Sequence, residues 1–183
     1  MREMKPELKI KEFANLCELF NLIKDVDGLA FPPSKDAIKK QSALIVEETK
    51  ELEEALDSDD LEGVLDANID ILVTALGLLQ QLESIQGIDV NKALLDTANN
   101  NLSKFIKADG KDADLALKIS GDSLQYYAKK LNDPYNVDRY MSQDQQYIVL
   151  LNKDNKVMKP VGFVPNNLEH CFSQQAYAYW GSC

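Results

Sequence analysis

The sequence predicts an all-α core of four or five helices with a small C-terminal β-hairpin appendage, and three observations lead there. Between residues 7 and 107, apolar residues recur at helical spacing and are interrupted only by short turn-forming stretches. One of these helices, residues 60–84, is apolar on most sides, so other elements must cover it. After Phe105 the composition changes, and two β-prone runs flank a four-residue polar loop.

Leu8, Phe13, Leu16, Cys17, Phe20 and Ile23 define a first amphipathic helix over residues 7–24, which Asp27-Gly28 and Phe31-Pro32-Pro33 break. Ser34 is placed to cap a second helix from Lys35 to about Ser58. Asp59-Asp60 turns the chain into the third helix. Gly87-Ile88-Asp89 interrupts again, and Asp89 can cap a fourth helix through Val90, Ala93, Leu94, Thr97 and Leu102 to about Lys107. Residues 108–112 form a polar loop. Short helices are expected at 114–118 and 122–131, with turn material at 132–136. Residues 146–151 and 156–159, on either side of Asn152-Lys153-Asp154-Asn155, make the hairpin. Residues 160–165 read as extended, and the aromatic-rich tail from Gln174 has no assignable pattern. The expected division is a helical core over 1–107 and an extension over 108–183 packed on it.

The totals exclude several functions. A net charge of −10 with no local basic patch argues against a nucleic-acid partner. It does not exclude a phosphate substrate, because bound divalent cations reverse the local sign. Cys17, Cys171 and Cys183 form no metal-ligand spacing, and a single histidine, His170, completes no zinc site. A reducing, cytoplasmic setting is expected. Residues 1–9 are too charged for a signal peptide. The longest uncharged run, 71–81, is too short to span a bilayer, so no membrane partner is expected. One histidine and no Gly-x-Ser-x-Gly argue against a Ser-His-Asp hydrolase.

The chemistry concentrates in residues 44–56 and 65–79. At 100° per residue, Ile45, Leu52, Ala55 and Leu56 share one face of the second helix, with Leu44 at its edge. Glu48 falls in the middle of that face and Glu51 lies beside it, while Glu53 and Glu54 point to solvent. A carboxylate facing a core costs on the order of several kcal/mol unless it is paired or metal-bound. On the third helix Asp66, Asp70, Val73 and Gly77 share a stripe, which stacks the two aspartates one turn apart. Four core-facing carboxylates make an oxygen-only site, suited to Mg²⁺ or Mn²⁺ rather than zinc.

These residues resemble a known family. Glu47-Glu48-Thr49-Lys50-Glu51, followed by Asp66-Ala67-Asn68-Ile69-Asp70, is similar to the pattern of the all-α nucleoside triphosphate pyrophosphohydrolases. These are the MazG-like and phosphoribosyl-ATP pyrophosphohydrolase-like group. Asn101-Leu102-Ser103-Lys104-Phe105 resembles an Asn-x-x-Lys element that many phage-encoded members carry. Residues 154–160 look like the Asp-Gly-Lys-Val-x-Lys stretch near their C-termini. The resemblance covers about residues 8–168, with a poor match over 108–145. Many members have Glu where this chain has Ala67. Asp66 must serve instead, and the number of metal ions stays open.

The resemblance implies a MazG-like bundle that hydrolyses a nucleoside or deoxynucleoside triphosphate to the monophosphate and pyrophosphate. It implies Mg²⁺ as cofactor, with Mn²⁺ an alternative, and a phage-type enzyme adjusting a nucleotide pool in the host cytoplasm. Glu48, Glu51, Asp66 and Asp70 are then the metal ligands. Glu47 is the candidate general base, with Glu48 the alternative. Lys104 is the catalytic and substrate-binding cation, and Asn101 hydrogen-bonds a phosphate, sugar or base. Members are generally homodimers or homotetramers with the site near a subunit contact. Two other functions fit the same residues. One is the phosphoribosyl-ATP pyrophosphohydrolase of histidine biosynthesis, against which the extra residues 108–183 argue. The other is a non-catalytic helical scaffold that binds metal or nucleotide. No motif reports the base or the sugar.

Overall fold

The computed structural model describes residues 9–25, 31–108 and 112–182. The expected helix start at Leu8, the Asp27-Gly28 break and the middle of the 108–112 loop lie outside them. The protein is mostly helical with a small antiparallel sheet. The chain divides into two compact units, residues 1–90 with 169–183, and residues 91–168. The expected boundary after Lys107 falls inside the second unit, because residues 106–107 form a strand that pairs there.

In the first unit, helices α1 (Ile10–Lys24) and α2 (Lys35–Asp57) both pack on α3 (Leu61–Glu83). Local chemistry sets the ends of α2 and α3. Ser34 accepts from the Ala37 amide at 3.1 Å, and Asp60 accepts from the Gly63 amide at 3.1 Å. Asp59 takes a left-handed turn conformation with φ 56°, which aspartate tolerates better than most residues. The link between the two helices is therefore only Ser58-Asp59-Asp60, and α2 and α3 form a helical hairpin.

The seam of this unit is unexpectedly polar. Asn21 and Gln41 are buried, and α3 contributes Gly77 at the same place. A Cβ on Gly77 would lie 2.9 Å from Gln41 Nε2 and 3.0 Å from Asn21 Oδ1. The missing side chain is what admits both amides. Gln41 Nε2 donates to the Thr74 carbonyl at 2.9 Å, so neither amide is free to retreat. Gly77→Ala should gain about 1 kcal/mol of helix propensity. It should lose more to overpacking, about 1–3 kcal/mol. Chemical denaturation should show a net loss, and an unchanged midpoint would mean the amides move aside without cost.

The C-terminal residues of this unit return to the turn after α3. Asp89 N–H donates to Cys171 O at 2.9 Å, and Ser173 N–H to Gly87 O at 2.8 Å. Gly87 has φ 92°, and a Cβ there would sit 1.9 Å from Ser173 Oγ, so only glycine fits. The aromatic-rich tail is a helix, which sequence pattern did not resolve. It spans Gln174–Ser182, and Tyr179 donates to Pro33 O at 3.1 Å.

The second unit is built on a three-stranded antiparallel sheet and one long helix. Helix α4 (Val90–Leu102) enters it and ends five residues before the expected Lys107. Asn99, Asn100, Asn101 and Ser103 favour caps over helix interior, and Ser103 Oγ donates to Asn100 O at 2.8 Å. Strand β1 (Ile106–Lys107) follows. The two short helices expected after it are one, α5 (Ala113–Leu131), and Gly121 does not interrupt it. Ala116, Ser120, Ser123 and Tyr127 form a continuous buried stripe that outweighs the cost of the glycine, about 1 kcal/mol. Both serine hydroxyls are satisfied by their own helix, at Leu117 O and Ile119 O.

The expected hairpin is also corrected. Strand β3 (Tyr147–Asn152) pairs with β2 (Val137–Met141) on one side and with β1 on the other. The run at 156–159 contributes only a single bridge, Leu151 to Val157. Ile148 and Leu150 of β3 point inward onto Ile106, Ala116, Tyr127 and Val137. Beyond, residues 160–163 form a turn rather than an extended run, with Gly162 at φ 85° and Phe163 N–H on Pro160 O.

Candidate functional site

The α2–α3 hairpin places the acidic residues by symmetry about its turn. Glu48 and Asp70 are equidistant in sequence from Asp59, and Glu51 and Asp66 are nearly so. Two helices running back from one turn therefore bring these residues to matching heights. Glu48 is half-buried, and its carboxyl is pushed above the ordinary glutamate range. Burial is the largest cause, followed by the charges of Glu51, Asp70, Glu47 and Asp66. The structure thus gathers all five acids predicted from sequence, with Glu48 at their centre. No contribution from the described residues offsets the shift.

The cluster is more open than the sequence implies. Glu48 and Asp70 are half-buried, but Glu47, Glu51 and Asp66 are exposed. The closed positions of the seam are instead Gln41, Ala55, Ala67 and Gly77. Leu56, expected on the apolar face, is 57% exposed. The small side chains at 55, 67 and 77 let the helices close there, and the longer acids flank the seam. Ala67, the departure from the common pattern, is a core residue. An acid in its place would be buried in the seam. The exposed Asp66 beside it keeps its carboxylate wet.

Asn101 and Lys104 belong to the second unit. Sequence placed both on one helix, but Lys104 lies in the turn after α4 ends. Its ammonium donates to Asn101 Oδ1 at 2.7 Å. The pair edges a hollow of about 460 Å³ walled by Ala98, Leu102, Phe105 and Val157.

A further hollow escaped the sequence. Glu18 and Leu22 of α1, Phe31, and Gln80, Glu83 and Ser84 line a space of about 220 Å³ in the first unit. The available signal was Gln80-Gln81, two amides ending an otherwise apolar run. Gln81 is buried, and its Oε1 has no hydrogen-bond partner among the described residues.

A helical hairpin whose acids gather beside its seam, with no histidine or cysteine in the cluster, offers a divalent cation an all-oxygen donor set. Residues 24–99 match the family model described as phosphoribosyl-ATP pyrophosphohydrolase, a family of the MazG-like nucleotide pyrophosphohydrolase superfamily. The match covers α2 and α3 entirely and stops before β1, α5 and the rest of the sheet. No curated protein and no solved structure matches the chain. The family is typically dependent on divalent metal. No described helix is long and apolar enough to cross a membrane.

Proposed function

We propose that the protein hydrolyses a nucleoside or deoxynucleoside triphosphate to the monophosphate and pyrophosphate, using Mg²⁺ or Mn²⁺. The observation that supports this most is Glu48, a half-buried carboxyl whose acidity is suppressed first by burial and then by four neighbouring acids. Such a cluster stores repulsion that a divalent cation relieves. Its donors are all carboxylate oxygens, which fits Mg²⁺ and Mn²⁺. Glu48, Glu51, Asp66 and Asp70 would hold the ion. When bound, it supplies Lewis acidity toward phosphate and lowers the pKa of a coordinated water. Glu47 is exposed at the edge of the cluster and takes the proton of the attacking water, with Glu48 the alternative acceptor. Water oxygen bonds to the α-phosphorus, the bond to the bridging oxygen breaks, and pyrophosphate leaves.

Pyrophosphate release should be measured against a panel of ribo- and deoxyribonucleoside triphosphates that includes phosphoribosyl-ATP. Release from a common triphosphate supports the proposal, and release from phosphoribosyl-ATP alone points to the reaction that the family model's description names. Metal binding with no release from any substrate leaves the scaffold reading and overturns the enzyme.

Asn101 and Lys104 are proposed as substrate contacts. Lys104→Met keeps the stem and removes the charge. It should lower kcat/KM by an amount worth about 2–4 kcal/mol while metal affinity in the absence of nucleotide holds. Unchanged kcat/KM would remove Lys104 from the reaction.

The working form is proposed to be a homodimer or homotetramer. Leu61, Leu65 and Leu72 form one stripe of α3 and are 80%, 63% and 49% exposed. Bare leucines at this spacing are what a second copy of the chain would cover.

A further inference from the structure

We propose that the hollow between α1 and α3 holds the base of the nucleotide, with Gln80 and Phe31 as the residues that contact it. The inference rests on the pyrophosphohydrolase reading, because it takes the ligand to be a nucleotide.

Asn21 and Gln80 form a chain of amides whose hydrogen bonds set their orientations. Asn21 is 8% exposed. Its Nδ2 donates to the Cys17 carbonyl at 2.9 Å and to Gln80 Oε1 at 2.9 Å, which uses both of its N–H bonds. Asn21 therefore cannot flip. Gln80 must present its oxygen to Asn21, and its Nε2 is the end left over. The Gln80 side chain makes no other hydrogen bond among the described residues. Beneath this pair, Gly77 gives Asn21 its seat, and Gln41 is locked on Thr74. Holding α1 on α3 needs none of this. An apolar contact would do so without the cost of desolvating amides. What the arrangement achieves is a Gln80 that offers two N–H donors and no acceptor.

The rest of the hollow matches a flat heterocycle. Its volume of about 220 Å³ has room for one such ring and not for a whole nucleotide. Phe31 and Leu22 supply apolar walls, and an aromatic face stacks on any base. Glu18, an exposed residue of the lining, is an acceptor for ring N–H or exocyclic NH₂. Donors from Gln80 and an acceptor from Glu18 complement the edge that every nucleobase carries, an acceptor next to a donor.

The position is also suitable. Gln80 and Asp70 lie on the same helix, ten residues apart. The axial distance is about 15 Å, and side chains reaching toward each other shorten it. An extended triphosphate with its phosphates at the acids can place its ring near Phe31.

Gln80→Glu tests this with little change of shape. One carboxylate oxygen still accepts from Asn21, but the donor end becomes an acceptor. Phe31→Ala, which removes the stacking face, is the second variant should the first disturb the helix. The probes are free nucleosides with no phosphate, titrated by calorimetry into the full chain in EDTA. The wild-type protein should bind at least one nucleoside, and each variant should weaken that binding about tenfold or more. Gln80→Glu should also reorder the preference among bases, and in the enzyme assay both variants should raise KM more than they lower kcat. Failure of every nucleoside to bind the wild-type protein, or equal binding by all three proteins, overturns the base subsite. Pyrophosphate release by the wild-type protein is scored separately. Its presence with unaltered base preference in both variants defeats this inference and spares the hydrolase. Its absence from every nucleotide, with nucleoside binding intact and lost in the variants, defeats the hydrolase and keeps the subsite.

Discussion

Glu48→Gln should reduce pyrophosphate release by about a hundredfold or more, equivalent to at least about 2.7 kcal/mol of transition-state stabilisation, while making the metal-free protein more stable. The two halves have one cause. Glu48 is the carboxyl on which burial and four negative neighbours converge, so it is the acid most dependent on a bound cation. Replacing it with an isosteric amide removes a proposed metal ligand and relieves the repulsion together. The pH dependence gives an independent check. In the native protein Glu48 holds its proton to higher pH than in the unfolded chain. Between its ordinary pKa and its raised one the native state thus binds more protons, and stability falls as pH rises through that window. Melts in EDTA should show this slope in the wild-type protein and a flatter one in Glu48→Gln. Glu53→Gln, at an exposed position on the same helix, is the control and should change neither activity nor slope. A Glu48→Gln protein that no longer folds without metal would assign Glu48 a structural role.

Withdrawal of divalent cations should abolish activity and lower thermal stability, and Mg²⁺ or Mn²⁺ should restore both. A ligand that binds only the native state, at a hundred times its dissociation constant, adds about 2.7 kcal/mol of stability. The melting temperature should therefore climb with Mg²⁺ concentration in the wild-type protein. It should climb less in Glu48→Gln, Asp70→Asn and Glu51→Gln. Comparing these three decides which acids carry the ion, since Glu48 and Asp70 are half-buried while Glu51 is exposed. Full activity in excess chelator would defeat the metal mechanism.

Helices α2 and α3 were legible because the information in them is local. Ser34 and Asp60 are caps that act within one turn; Ser34 lies where the sequence placed a cap, and Asp60 lies in the turn that the sequence read at 59–60. The acids were legible for the same reason. Their spacing on each helix follows from 3.6 residues per turn, and a three-residue link leaves the two helices little choice but to lie side by side. The pattern also carried the family, since the match to residues 24–99 contains all five acids.

The misjudged elements depend on partners far away in sequence. Residues 106–107 look like the end of a helix until Tyr147 and Ile148 pair with them. Strand β2 reads Val137-Asp138-Arg139-Tyr140-Met141, with one buried residue and no alternation, because it lies at the sheet edge. Gly121 looks like a break in α5 until the sheet buries the stripe that spans it. Burial of the acids was misjudged for a related reason, since helical period assigns a side chain to a face but not to a depth. Sequence by itself determined the helical hairpin, its Ser34 cap and the acids stacked along it, all products of interactions within a few residues. Tertiary structure alone decided how open the acid cluster is, which residues make the sheet, and the orientation of the Asn21–Gln80 amides, because each depends on contacts between segments tens of residues apart.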